Sequence, residues 1–113
     1  MSCIFCQIAA GKIPAKIVLD EPEVLAFRDL HPVAPTHVLV IPKRHIASLA
    51  ELEPADAGLV GRLFVAARRI AEMEGVSNQG FRTVINAGPD AGQTVFHVHL
   101  HLLAGRQMNW PPG

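Results

Sequence analysis

The stretch His97-Val98-His99-Leu100-His101-Leu102-Leu103 begins with a strict alternation of imidazole and apolar side chains. A period of two is that of a β-strand, whose successive side chains point to opposite faces of a sheet. Val98, Leu100 and Leu102 are therefore expected in a core, and the three histidines on the other face. A solvent-facing strand is built as well from Thr, Lys or Glu, which do not titrate near neutrality. A lone histidine on a strand is mostly a surface or satisfied core residue, whereas three at this spacing point to chemistry. Each ring is a candidate nucleophile, acid, base or metal ligand.

Residues two apart on a strand lie about 6.6 Å apart along its axis, so neighbours in the row can share one small target. The whole row spans about 13 Å, too far for one ion bound by all three rings at bond lengths near 2 Å. A pair with a histidine from elsewhere stays open as a ligand set. Gly92-Gln93-Thr94 leads into the row. A glycine-containing turn there is an ordinary turn by itself, but it can also point backbone N–H groups at a phosphate oxygen, with Gln93 and Thr94 adding side-chain donors. Neutral imidazole, with a pKa near 6.5, is a competent nucleophile toward phosphorus, and the P–N bond it forms hydrolyses again. A neighbouring protonated histidine would stabilise the equatorial oxygens while another donor protonates the leaving group. The patterns GxSxG, GxxxxGK[ST] and GxGxxG are absent.

Further out, Ser2 is a candidate cap for a short helix over residues 3–10, with Ile4, Phe5 and Ile8 as its apolar stripe and Gly11 as its stop. Residues 16–20 and 24–29 read as two short strands across the turn Glu21-Pro22-Glu23, and residues 37–41 as a central strand ended by Pro42. From Pro54 to Glu74, Leu59, Leu63, Ala67, Ile70 and Ala71 recur at helical spacing, and Gly75 supplies a stop. Gly58 and Gly61 inside that helix cost about 1 kcal/mol each against alanine; either they are tolerated or something packs closely there, such as a second subunit. Residues 81–86 and 95–103 read as the last two strands. The order implies an α+β domain, residues 1–113, with a mostly antiparallel five-stranded sheet, one long helix and one short one.

The chain has 113 residues, half of them hydrophobic, which suffices for one modest core. Ten basic residues balance ten acidic ones, so a global field for nucleic acid is lacking and sequence-specific nucleic-acid binding is not expected. No apolar run approaches the roughly 20 residues of a membrane helix, and the first residues lack a secretory pattern. A cytoplasmic, membrane-free protein is expected. In that compartment Cys3-x-x-Cys6 means metal or redox work more often than a disulfide, although reduced half-buried thiols at a helix start are the plain alternative.

The histidine row resembles the motif of the histidine triad (HIT) family. Ile13-Pro14-Ala15-Lys16-Ile17, Ala34-Pro35-Thr36-His37, Val40-Ile41-Pro42-Lys43 with His45, Gly92-Gln93 and the tail Gly105-Arg106-Gln107-Met108-Asn109-Trp110-Pro111-Pro112-Gly113 extend the likeness to the family's Hint branch over nearly the whole chain. The resemblance implies the HIT-like fold and a homodimer whose sheets join across the interface. It also implies hydrolysis of purine nucleoside 5′-monophosphoramidates through a nucleotidyl-histidine, with no cofactor needed for the chemistry. His99 would be the nucleophile, His101 a phosphate partner, His37 their support and Thr94 the donor to the leaving amine. The family's transferases carry glutamine at the position of His101, so histidine there favours hydrolysis. Asn86, Gly92, Gln93, Thr94 and Val95 would line the phosphate site, and Asp29 would accept from the ribose hydroxyls. Phe5, Ile8, Ile13, Phe27 and Leu30 would wall the purine, and Trp110 would act at the partner's site. Cys3, Cys6, His45 and His97 match the structural zinc set of some relatives. A nucleotide-binding adaptor with incidental catalysis and a dinucleoside polyphosphate hydrolase are the alternatives. His31 has no role on this reading.

Overall fold

The structure, a computed structural model, describes residues 3–113. Two helices, α1 (Ile4–Ala9) and α2 (Ala57–Met73), accompany five strands: β1 (Ile17–Asp20), β2 (Val24–Arg28), β3 (Thr36–Pro42), β4 (Phe81–Val84) and β5 (Leu100–Ala104). They form one sheet in the order β1-β2-β3-β5-β4, and every neighbouring pair is antiparallel. The expected α+β architecture with one long helix and one short one is the observed one.

The period of two divides the sheet. Val24 and Ala26 of β2, Val38 and Val40 of β3, and Leu100 and Leu102 of β5 pack with Val98 against Leu59, Leu63, Ala66, Ala67 and Ile70 of α2. Fully burying each large aliphatic side chain contributes roughly 1.5–3 kcal/mol, so this layer anchors the fold. On the opposite face Leu25, Phe27, Leu39 and Ile41 meet Phe5, with Ile8 beside it. The histidine row lies on this second, thinner face, covered by α1 rather than by α2.

Several element boundaries differ from expectation. The cap of α1 is Cys3, whose Sγ accepts from the Cys6 N–H at 3.4 Å; Ser2 lies outside the described residues. The long helix is preceded by a 3-10 turn, Pro54–Asp56, closed by a capping box in which Asp56 Oδ2 accepts from the Glu53 N–H at 2.8 Å. Its end is as expected: Gly75 takes φ +71°, its N–H bonds Glu72 O, and the Val76 N–H bonds Ala71 O, a complete Schellman motif. Gly58 and Gly61 are exposed, with no neighbour closer to a built Cβ than the Arg62 guanidinium at 3.8 Å.

The largest correction concerns the opening stretch itself. The last strand begins at Leu100, not Val95, so only His101 of the row lies in the ladder. Pro42, which faces Val98 in that register, has no N–H to give, and its carbonyl is taken by the His97 ring at 2.7 Å. The Val98 N–H turns to Ile46 O at 2.7 Å instead. Side-chain alternation nevertheless persists, since Val98 joins the aliphatic core while His97 and His99 both meet Phe5.

Candidate functional site

Backbone groups fix the tautomers of His99, His37 and His97, and the His37 ring fixes that of His101. A carbonyl only accepts, so His99, whose Nδ1 lies 2.7 Å from His97 O, carries its proton on Nδ1 and a lone pair on Nε2. Among the described residues no buried side-chain nitrogen or oxygen lacks a partner, and His99 Nε2 bonds to none, so this atom is open to solvent. His37 accepts the Val33 N–H on Nδ1 at 3.1 Å and therefore carries its proton on Nε2. That proton is donated to His101 Nδ1 at 2.9 Å, which leaves His101 Nε2–H as a free donor. His97 donates from Nε2 to Pro42 O and turns the lone pair of Nδ1 toward the cysteines.

The rings of His99 and His101 stand 5.0 Å apart, close enough to share one phosphoryl group. Burial pushes His101 down to about 4, with the neighbouring His99 and His37 adding to the effect and Asp29 opposing it. Burial also lowers His37, against the pull of Asp29, whose Oδ2 lies 3.4 Å from its Nε2. At that value His101 is neutral at pH 7 and presents an N–H dipole, whereas the sequence led to the expectation of a protonated histidine beside the nucleophile.

A cleft of about 340 Å³ runs between α1 and β2, lined by Phe5, Ile8, Ile13, Phe27, Asp29, Leu30, Thr94 and Val95. All eight are residues expected in the nucleotide site. Leu39, another wall residue, pairs with His101 in the ladder, and Phe5 of the wall meets the His99 ring, so the cleft adjoins the histidine row without being lined by it. Ile4, Pro14, Ala15, Lys16, Arg28 and His31 line it too and were not expected there. His31, which had no role, donates its N–H to Asp29 Oδ1 at 2.7 Å and holds the carboxylate in place. Such an Asx turn is signalled by the aspartate alone, since any residue two positions on can donate the backbone N–H.

Asn86, Gly92 and Gln93 do not line the cleft. Gln93 is buried, and its side chain is fully occupied: Nε2 donates to Ala47 O at 2.7 Å and Val95 O at 3.1 Å, and Oε1 accepts the Gly88 N–H at 2.9 Å. It braces the loop before the row rather than offering a donor to phosphate. Trp110 is exposed and far from any core.

Cys3, Cys6, His45 and His97 converge from the start of α1, the segment after β3 and the head of the histidine row. His97 Nδ1 lies 3.4 Å from Cys3 Sγ, 3.6 Å from Cys6 Sγ and 3.3 Å from His45 Nδ1, and Cys6 Sγ lies 3.3 Å from His45 Nδ1. Ligand bonds of about 2.0–2.3 Å at tetrahedral angles require separations of this size, so the two sulfurs and two nitrogens fit a zinc ion. The His97 Nε2–H on Pro42 O is the outer hydrogen bond that a ligating imidazole usually makes. Burial raises the Cys6 thiol, with Cys3 adding to the effect.

The HIT domain model matches residues 10–108. The chain belongs to the HIT family. A HIT family hydrolase from Legionella pneumophila Philadelphia 1 superposes with a TM-score of 0.97 at 49% identity, covering 99% of this chain and 100% of that one. The 14 kDa zinc-binding protein of Zea mays is 47% identical over 112 residues, 97% of this chain and 87% of the maize protein. Adenylylsulfatase HINT1 of Arabidopsis thaliana is 46% identical over 112 residues, 97% of this chain and 76% of the plant protein. The HIT fold thus accounts for the sheet order, the α2 layer and the position of the histidine row.

Proposed function

We propose that this HIT protein is a hydrolase of purine nucleoside 5′-monophosphoramidates that works through a nucleotidyl-His99 intermediate. The observation that carries the reading is the His99 Nδ1–H bond to His97 O, which leaves the Nε2 lone pair free beside the His101 N–H. In the first step Nε2 bonds to phosphorus, the P–N bond breaks, and the amine departs with a proton for which the Thr94 hydroxyl is the nearby donor. The imidazolium formed is stabilised by His97 O. His101 Nε2–H, polarised through His37 and Asp29, donates to a phosphoryl oxygen. In the second step water attacks phosphorus and returns its proton to the Thr94 oxygen, the His99–phosphorus bond breaks, and the mononucleotide leaves.

Asp29 would accept from the ribose hydroxyls, and the apolar cleft suits a purine. Cys3, Cys6, His45 and His97 would hold a zinc, which supplies a cross-link between α1 and the histidine row and takes no part in the chemistry. The relative named as a zinc-binding protein supports that assignment. A homodimer joined through the sheet edge, with Trp110 reaching the partner's site, completes the reading.

The Arabidopsis relative's name favours a second reading, in which sulfate rather than an amine leaves an adenylyl group. Both readings share the adenylyl-His99 step. Steady-state turnover of the tryptamine phosphoramidate of adenosine and of adenylyl sulfate by wild type and His99→Ala tests them. The phosphoramidate is expected to turn over faster, and His99→Ala to lose about 10⁴-fold or more. Faster turnover of adenylyl sulfate would install the second reading, and retained turnover in His99→Ala would remove both.

A further inference from the structure

Arg28 closes β2, and its guanidinium donates two parallel hydrogen bonds to Glu74, Nη1 to Oε1 and Nη2 to Oε2, each 2.9 Å. Among the described residues this is the only arginine–carboxylate pair that is bidentate, a geometry that fixes orientation as well as charge. Glu74 is the C-cap of α2. A carboxylate there faces the negative end of the helix dipole and does not help the helix, so its placement calls for another reason. The Arg28 guanidinium, with the Thr36 hydroxyl adding to it, holds the Glu74 carboxyl below the usual carboxylate range against the pull of burial.

The period of two that turns Ala26 toward α2 and Phe27 toward the cleft also turns the Arg28 side chain toward α2 and brings Asp29 to the cleft. The ladder from β2 to β3 ends at Arg28, and beyond it the Asp29 N–H bonds His37 O at 3.0 Å. Glu74 thus grips the residue before Asp29 and faces Thr36, the residue before His37, from the opposite side of the sheet. The His31 N–H and the His37 ring aim the Asp29 carboxylate, but both ride on these same strand ends. We propose that Glu74 is a positioning residue of the nucleotide site: through Arg28 it fixes the end of β2 so that the Asp29 carboxylate meets the ribose hydroxyls. The inference rests on the nucleotide reading of the cleft. A displacement of about 1 Å is enough to spoil such a contact.

The test compares the Kd of adenosine 5′-monophosphate with that of its 2′,3′-dideoxy analogue in wild type, Glu74→Gln and the charge swap Arg28→Glu with Glu74→Arg. Wild type is expected to favour the ribonucleotide by about tenfold or more, the worth of hydroxyl hydrogen bonds to a charged acceptor. Glu74→Gln is expected to lose most of that ratio and the charge swap to restore it. In an Asp29→Asn background Glu74→Gln is expected to change the ratio no further, because the two residues act as one unit. Partial unfolding weakens both nucleotides by the same factor and leaves the ratio alone, so a purely structural ion pair does not produce this pattern. An unchanged ratio in Glu74→Gln, a swap that restores nothing, or a further loss in the Asp29→Asn background would overturn the positioning role. Should Glu74→Gln be recovered unfolded, Glu74→Asp, which keeps the charge but shortens the reach, decides by the same ratio. A folded wild type that binds both nucleotides equally, or neither, would instead refute the ribose assignment of Asp29, and the positioning role with it.

Discussion

His99 and His101 stand two residues apart on one face, yet their hydrogen bonds give them opposite properties: an exposed lone pair on His99 and an exposed N–H on His101. Burial holds His101 neutral down to about pH 4, whereas in the unfolded chain it titrates near 6.5. Between those values the unfolded state binds more protons, so stability is full above the upper value and is lost as pH falls through the window. Urea midpoints are expected to fall from pH 7 to pH 5 more steeply in wild type than in His101→Gln; parallel slopes would contradict this. Gln93→Ala removes a side chain bonded to Gly88, Ala47 and Val95, leaving backbone groups unpaired, and is expected to cost about 1–3 kcal/mol in chemical denaturation. That His99 and His101 share one face was legible from residue type and spacing, whereas the place of Asp29 in the cleft wall came from the resemblance alone. Gln93 was misread because a glutamine in a glycine-rich loop looks the same whether it faces a ligand or braces its own backbone. His31 was missed because its contribution comes from a backbone N–H, which carries no residue signature.

The elements were legible where periodicity ran long and blurred where a ladder was interrupted. Helix α2 declares itself through its aliphatic stripe and Gly75, and β2 and β3 through their continuous apolar runs. The start of β5 was set instead by Pro42 and Ile46, both distant in sequence, so local alternation overran the true boundary. At the other end of β5, Gly105 takes φ +95°, and a built Cβ would lie 2.8 Å from Pro35 Cβ. Gly105→Ala is therefore expected to destabilise by about 1–3 kcal/mol, measured as a lowered denaturation midpoint. An unchanged midpoint would show that the turn relaxes freely. Helix α1 is held to the sheet by Phe5 and Ile8, and a zinc on Cys3, Cys6, His45 and His97 would add a second attachment. Zinc at roughly a hundredfold over its Kd is expected to stabilise the fold by about 3 kcal/mol, and Cys6→Ser to abolish that gain in thermal melts. Metal analysis of protein purified without added zinc gives the independent reading, about one equivalent in wild type.

At the scale of the molecule, the sheet ends in the unpaired edge strand β4, where Phe81 is 40% exposed, and the outer face of α2 shows Phe64 and Val65 at 46% and 58% exposure. Open edges and uncovered apolar side chains are features that partner subunits cover. Sedimentation is expected to give a dimer that Phe81→Lys weakens, and a monomer at all concentrations would contradict it. No helix of the described residues is long and apolar enough to cross a membrane. The thick aliphatic layer against α2 carries the stability, which leaves the thinner α1 face free for the cleft, the histidine row and the metal cluster. The central claim is a covalent bond between His99 Nε2 and the nucleotide phosphorus. Intact-protein mass spectrometry of enzyme acid-quenched during turnover of an adenosine phosphoramidate tests it most directly. The account predicts a species heavier by one adenylyl group, mapped to the peptide bearing His99 and absent from His99→Ala; turnover at full rate with no such species, or an adduct on another residue, would contradict it.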